Sequence, residues 1–459
     1  MIRKTFVNRA NELSSLKSSH SRDGFEFIVI TGRRRVGKTR LLQEFSDDEK
    51  TLFLMCEERK WQYNLEKFNK AIGDFFEMPV PNFDSFRECF EFIAERDDNL
   101  LIIIDEFSYL IKGKDKEILG EFQGIVDEIL QDRDLTLILS GSAVSMMKKR
   151  VLGKKSPLYG RTTSQLDLQP LRFEDLLEWF KDTDIENIIK IFGICDGIPK
   201  YLEFFEGKNI QEEIKKNIFS PDAFLFREPK LLLEEELREP ETYYQILEGI
   251  SLGHTRPTDI ANYSYMNPKD ISSYLSILRD LGFIKKERSI LSKRRKRGLY
   301  RIKDNFFNFW FRFVSPHFAE IENWMNESAV NEFKRDFDQY LGKIYEEVCK
   351  QLLSSTTNYA KIGRWWYKED EIDIVALDRD EDKILLAECK WSKNRVDTDL
   401  LYDLKEKAEK VRWKNDERHE EYFLFSRSGF TDELEQCSSG SDNIALYSLQ
   451  EMYREFETR

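Results

Sequence analysis

The stretch that most constrains this chain is Gly32-Arg33-Arg34-Arg35-Val36-Gly37-Lys38-Thr39. It follows the apolar run Phe25-Glu26-Phe27-Ile28-Val29-Ile30-Thr31 and precedes the helix-forming Arg40-Leu41-Leu42-Gln43-Glu44-Phe45. Strand, loop, helix is the order that gives the pattern G-x-x-x-x-G-K-[ST] its meaning. The glycines let backbone N–H groups close around phosphate oxygens. Lys38 adds a point charge at the β- and γ-phosphates, and Thr39 offers a hydroxyl to Mg2+. The loop through Arg40 is therefore expected to bind a nucleoside triphosphate, ATP with Mg2+; the bland alternative is a glycine-containing turn before a basic helix.

A second motif takes its meaning from the first. Asn99-Leu100-Leu101-Ile102-Ile103-Ile104-Asp105-Glu106-Phe107 is a continuous aliphatic run that ends in two carboxylates. Such a run marks a parallel strand buried on both faces, with acids at its carboxyl end within reach of the loop. Asp105 is then placed to hold Mg2+ through water and Glu106 to polarise the water that attacks the γ-phosphate. A further strand, Leu135-Thr136-Leu137-Ile138-Leu139, ends in Ser140-Gly141-Ser142. Hydroxyls there, Ser140 first, either sense the γ-phosphate or close a turn, and both readings stay open. The loop beyond is basic, with Lys148, Lys149, Arg150, Lys154, Lys155 and Arg161. Arg161 reads either as an arginine finger into a neighbouring subunit's nucleotide, which implies a homo-oligomer, or as a solvated loop charge. Around these motifs, Thr51 to Cys56 and Gln165 to Leu168 read as strands. Helical spacing runs from Tyr63 to Phe76 and restarts at Pro170.

Length and charge bound the rest. With 459 residues the chain exceeds one ordinary core, and about three domains are expected. A net charge of −13 excludes a chain that coats nucleic acid all over, so any such contact needs a local basic patch. Six scattered cysteines with no C-x-x-C pair, and four isolated histidines, disfavour zinc sites and disulfide frameworks and suit a reducing cytoplasm. There is no signal-peptide core and no apolar run of membrane-spanning length, so a cytoplasmic protein without a membrane partner is expected.

The middle of the chain has the cadence of a helix-turn-helix. Tyr244, Ile246, Leu247 and Ile250 mark one helix and Arg256 to Ala261 a second. A third has Asn267 as N-cap, Pro268 in its first turn and Gly282 at its end. Two short strands, Phe283 to Glu287 and Gly298 to Ile302, flank Lys293-Arg294-Arg295-Lys296-Arg297. Three helices and a basic hairpin predict a winged helix. Five consecutive cations cannot be core residues, and their clustering in an acidic chain points to DNA backbone contact, with a solvated wing as the alternative. The dense aromatics of Phe306 to Phe313 read as core rather than as a base-stacking platform.

In the last part, Phe337, Leu341, Ile344, Tyr345, Val348 and Leu352 carry helical spacing that brings Glu346 or Glu347 near an apolar face. The strand Glu371-Ile372-Asp373-Ile374-Val375-Ala376 follows, then Lys383 to Trp391, in which Glu388 and Lys390 share a face. An Asp, a Glu and a Lys converging at strand ends are the ingredients of metal-assisted phosphodiester hydrolysis, because carboxylates bind hard cations and a lysine helps activate water.

Taken together, Phe6-Val7-Asn8-Arg9, Glu12-Leu13, the loop Gly32 to Thr39, Ile104-Asp105-Glu106-Phe107, Ser140-Gly141-Ser142, Pro157-Leu158-Tyr159-Gly160-Arg161 and Gly197-Ile198-Pro199-Lys200-Tyr201 resemble the archaeal and bacterial AAA+-like ATPases of the STAND type. The resemblance implies a parallel sheet with the loop-bearing strand central, a helical lid, and Arg9 and Pro199 near the nucleotide. This chain departs from the family in having Asp196-Gly197 where members commonly show Gly-Gly, and in lacking a lid arginine; Lys200 is the nearby cation. The C-terminal part resembles the PD-(D/E)xK nuclease superfamily. On that resemblance Asp373 and Glu388 are metal ligands for Mg2+ or Mn2+, Lys390 is the catalytic lysine, and Glu346 is a catalytic acid on the preceding helix. Gly363-Arg364-Trp365-Trp366, Glu388-Cys389-Lys390-Trp391 and Ser426-Arg427-Ser428-Gly429-Phe430 also resemble the uncharacterised domain that accompanies this ATPase family. The expected architecture is α/β: a P-loop NTPase core over residues 1–169, a helical lid over 170–235, a winged helix over 236–315 and a PD-(D/E)xK nuclease-like α/β domain over 316–459.

Overall fold

The structure is a computed structural model that describes residues 6–97, 99–112, 115–292, 298–357, 359–378, 380–415 and 417–458. Lys293, Arg294, Arg295, Lys296 and Arg297, the expected DNA contacts, lie outside them. The chain divides into two compact units, Met1–Pro170 with Ile198–Lys200, and Leu171–Gly197 with Tyr201–Arg459.

The first unit is built on strands β1 (Glu26–Thr31), β2 (Thr51–Met55), β3 (Leu100–Asp105), β4 (Leu135–Gly141) and β5 (Ser164–Asp167). All pairs are parallel, in the order β2-β3-β4-β1-β5. Position in the sheet explains composition. The interior strands β1, β3 and β4 are buried at every residue and carry the unbroken aliphatic runs. The edge strands β2 and β5 alternate between more and less buried positions. β4 holds the middle and β1 lies between it and β5, so the loop-bearing strand is interior rather than central. Because the strands are parallel, the loop after β1, Asp105 at the end of β3 and Ser140 at the end of β4 emerge at the same edge, with Ile30 opposite Ser140 and Ile104 opposite Leu139.

The second unit opens with helices that include Phe173–Trp179, Ile185–Cys195 and Phe224–Glu236. Next come helices Pro240–Ser251, Pro257–Tyr263 and Ile271–Asp280, then the antiparallel pair β6 (Ile284–Glu287) and β7 (Leu299–Ile302). The third helix starts later than its sequence suggests. Asn267 accepts from the Lys269 N–H at 3.0 Å and its carbonyl accepts from Asp270 at 2.9 Å, so it shapes a turn before the helix instead of capping it. Helix Asn305–Phe313 buries Phe306, Phe307, Phe309, Trp310, Phe311 and Phe313, which are core as read from their density.

The unit ends in a mixed sheet. Helix Glu327–Thr356 leads to β8 (Lys361–Tyr367), β9 (Asp370–Asp378) and β10 (Lys383–Lys390). Helix Thr398–Lys410 then precedes β11 (His419–Ser426), and β12 (Ile444–Ser448) follows helix Asp432–Ser439. The order is β12-β11-β10-β9-β8, antiparallel from β8 to β10 and parallel from β10 to β12. Its core joins Ile372, Val375, Ile384 and Leu386 of the sheet to Leu401, Leu404 and Ala408 of helix Thr398–Lys410, and takes in Ile290 from the segment after β6. Among the described residues no helix is long and apolar enough to cross a membrane.

Candidate functional site

At the end of β1 the chain turns sharply into helix Lys38–Ser46. Two glycines make that turn possible. A Cβ on Gly32 would sit 2.8 Å from the Leu168 carbonyl oxygen, and Gly37 has φ +98°, a left-handed conformation that favours glycine. Lys38 is 4% exposed and its ammonium donates to the carbonyl oxygens of Gly32 (2.9 Å) and Arg33 (3.2 Å), so it lies folded over the loop it serves. Arg9 fixes the loop from outside. Its Nη2 donates to the carbonyls of Gln169 (2.7 Å) and Val36 (3.4 Å), while Nη1 donates to Glu12 at 2.8 Å. Pro199 lies beside the loop, its ring 3.8 Å from where a Gly37 side chain would begin. Arg34 donates to the Tyr109 hydroxyl at 2.6 Å, and Arg33 and Arg35 are half-buried. Arg40 points along the helix surface to Glu44, at 3.0 Å.

The acids of β3 meet this loop. The Thr39 hydroxyl donates to Asp105 Oδ2 at 2.6 Å, and Asp105 is fully buried. Its other oxygen accepts from the Glu106 N–H at 3.0 Å. A hydroxyl and a carboxylate side by side are hard oxygen donors, and they fit Mg2+. Glu106 itself has φ +54°, an uncommon conformation for a residue with a side chain. Its Oε2 accepts from both the Ser142 hydroxyl (2.6 Å) and the Ser142 N–H (3.1 Å). Ser142, beyond the end of β4, is thus the residue that engages Glu106. Ser140 sits in the strand, and its buried hydroxyl has no hydrogen-bond partner among the described residues. Arg161 is held within its own chain. Its Nε and Nη2 each donate to Asp127 at 2.6 Å and Nη1 donates to the Pro157 carbonyl at 2.8 Å. The paired hydrogen bonds raise the Arg161 pKa and lower that of Asp127.

The expected C-terminal residues also come together. Ile374 pairs with Ala387, which sets Asp373 and Glu388 one step further along the same antiparallel ladder, and Asp373 Oδ2 accepts from the Cys389 N–H at 3.1 Å. Glu346 projects from helix Glu327–Thr356 toward Asp373, and burial together with that carboxylate pushes its pKa up to about 7. Glu388 is raised for the same two reasons, burial first and Asp373 second.

The pocket, however, already holds its own cations. Lys390 and Lys407 each donate to a different oxygen of Glu388, both at 3.1 Å. The Arg364 guanidinium, 7% exposed, reaches Glu371 at 2.9 Å, Asp373 at 3.5 Å and Glu346 at 3.6 Å. In this arrangement Asp373 and Glu388 do not fit a divalent ion, because ammonium and guanidinium groups occupy the oxygens it would need. Among the described residues no group of three or more His, Cys, Asp or Glu side chains is arranged to hold a metal.

Comparison with known proteins agrees with this division of the chain. Residues 6–205 match an ATPase domain found predominantly in Archaea. Residues 310–409 match a domain described from archaeal and bacterial proteins of unknown function. An uncharacterized protein of Methanocaldococcus jannaschii is 36% identical over 416 residues, which cover 88% of this chain and 92% of that one. The chain belongs to this archaeal ATPase family. A solved Walker-type ATPase of Pyrococcus abyssi shares the fold at a TM-score of 0.53 and 22% identity, over 68% of this chain and 97% of its own. An uncharacterized ATP-binding protein of M. jannaschii is 42% identical over 45 residues, 10% of this chain and 76% of that one.

Two site residues of this archaeal ATPase, Arg364 and Lys407, had no role in the sequence reading of the pockets. Ser142 shares its motif with Ser140, and only the end of β4 at Gly141 distinguishes the two. Arg364 belongs to the segment Gly363-Arg364-Trp365-Trp366, whose resemblance implies no role for it. Lys407, on a helix 19 residues past Glu388, belongs to no motif.

Proposed function

We propose that this chain is an ATP-hydrolysing cytoplasmic switch that associates with DNA. The observation that carries the ATPase part is the hydroxyl–carboxylate pair of Thr39 and Asp105, 2.6 Å apart at the mouth of the glycine loop. The triphosphate is bound by backbone N–H groups at the start of helix Lys38–Ser46 and by Lys38, which exchanges the carbonyls of Gly32 and Arg33 for phosphate oxygens. Thr39 and Asp105 would hold Mg2+, which supplies charge neutralisation at the β- and γ-phosphates. Glu106 orients the attacking water once it leaves Ser142. Glu106→Gln is expected to lower turnover by about 10²-fold or more with ATP still bound, and Lys38→Ala to lose both. Turnover of Glu106→Gln equal to wild type removes the assignment. Arg161 acts across a subunit contact only if Asp127 releases it, so a turnover per chain that rises with protein concentration in wild type and not in Arg161→Ala is the expected mark of a homo-oligomer.

The DNA part rests on Lys293, Arg294, Arg295, Lys296 and Arg297, on the three helices and antiparallel pair that bracket them as in a winged helix, and on the nuclease-like order of the last part. There a helix and three antiparallel strands are followed by a helix and a parallel strand, with Glu346, Asp373, Glu388 and Lys390 gathered at one place. That order favours a second reading in which the domain also cuts DNA with Mg2+ or Mn2+. Charge reversal across residues 293–297 is expected to weaken DNA affinity and flatten its salt dependence. Plasmid, linear and single-stranded DNA left equally intact by wild type and Lys390→Ala with either metal would eliminate cleavage and leave the switch.

A further inference from the structure

We propose that Arg364 is a resident counter-ion that keeps the C-terminal carboxylate pocket closed to divalent cations, and that displacing its guanidinium turns the pocket into a metal site. The proposal rests on the nuclease-like reading of this domain only for the identity of the carboxylates.

Arg364 faces an irregularity of the sheet. Gly363 pairs with Val375 and Trp365 with Ile372, so the extra residue is on β9, where Asp373 and Ile374 together lie opposite Arg364. A bulge of this kind re-aims a side chain of the strand that carries it, here Asp373 of β9, which faces Arg364. The backbone of β8 here is also tied to the segment after β6, because the Ile290 N–H donates to the Arg364 carbonyl at 2.8 Å and the Trp366 N–H donates to Ser289 Oγ at 3.2 Å. The Arg364 side chain lies among Glu346, Glu371 and Asp373, three carboxylates that repel one another unless a cation lies among them.

The seat is imperfect, and that makes it a lock rather than a permanent strut. Arg364 Nε is buried and has no hydrogen-bond partner, and two of the three carboxylate contacts, at 3.5 and 3.6 Å, are longer than a good charge-assisted hydrogen bond. Glu371, which makes the short contact, is 55% exposed and so the easiest of the three to solvate away. A divalent ion and the guanidinium compete for the same oxygens, and each therefore lowers the affinity of the other.

Mn2+ titration of the full nucleotide-free chain, followed calorimetrically and by electron paramagnetic resonance, tests this. Arg364→Gln is expected to bind one Mn2+ about tenfold tighter than wild type or better, and the gain should vanish in Arg364→Gln/Asp373→Asn, which separates this pocket from the Thr39–Asp105 site. Glu371→Gln, at an exposed position that does not threaten folding, is expected to show a smaller gain in the same direction. Wild type binding Mn2+ through Asp373 as tightly as Arg364→Gln overturns the lock, as does the absence of any gain in both variants. A gain without DNA cleavage supports the lock and removes only the cleavage reading.

Discussion

Asp105 and Glu388 are the same kind of residue in the same kind of place, a buried carboxylate at the carboxyl end of an interior strand, yet they are prepared for opposite things. Asp105 is met by a hydroxyl and a backbone N–H, both neutral donors. Glu388 is met by two ammonium groups at 3.1 Å each. An isolated buried charge is costly, whereas a paired one is retained by its partners and gains little from another cation. The first carboxylate is therefore ready for a metal, and the second is already satisfied. Sequence motifs report the acids; the neighbouring cations decide what the acids can do.

The comparison breaks most visibly if the two carboxylates are neutralised in turn. Asp105→Asn is expected to reduce ATP turnover by about 10²–10³-fold, since it removes a carboxylate that would hold Mg2+, while the urea midpoint changes little, because Asn keeps a carbonyl oxygen for one of the two donors. Glu388→Gln should do the reverse. Turnover holds, and stability falls by about 1–3 kcal/mol because Lys407, whose side chain is 18% exposed, loses a charge-assisted partner. Equal loss of stability in both variants would mean that the difference in partners has no energetic consequence.

What could be read in the chain follows the same division. The nucleotide loop was legible because its chemistry is local: Gly32 to Thr39 is one continuous segment, and the aliphatic run before Asp105 announces its own burial. The β6–β7 pair and the burial of the aromatics from Phe306 to Phe313 were legible for the same reason, each being written in consecutive residues. Arg364 was not, since its role depends on an extra residue in the facing strand β9 and a grip from Ile290, 74 positions away. Nor could Ser142 be told from Ser140, because that depends on where β4 stops, at Gly141. The position of β1 beside the middle of its sheet is likewise set by pairing that no single segment encodes.

The smallest effect sharpens the comparison through pH. Glu346 holds its proton up to about pH 7 in the folded chain, against 4.5 for an ordinary glutamate, because burial and Asp373 both disfavour its charge. The folded chain thus binds this proton more tightly than the unfolded chain. The stabilisation is complete below pH 4.5 and is lost as pH rises through about 7. Relative to Glu346→Gln, wild type is expected to lose on the order of 1–3 kcal/mol of unfolding free energy between about pH 5 and pH 8, with Lys343 at 2.7 Å and Arg364 at 3.6 Å limiting the loss. A difference between the two proteins that stays flat across that range would mean that Arg364 and Lys343 fully compensate Glu346. Glu388, whose pKa is raised by the same two causes, would then be the carboxylate of the two whose charge the pocket disfavours.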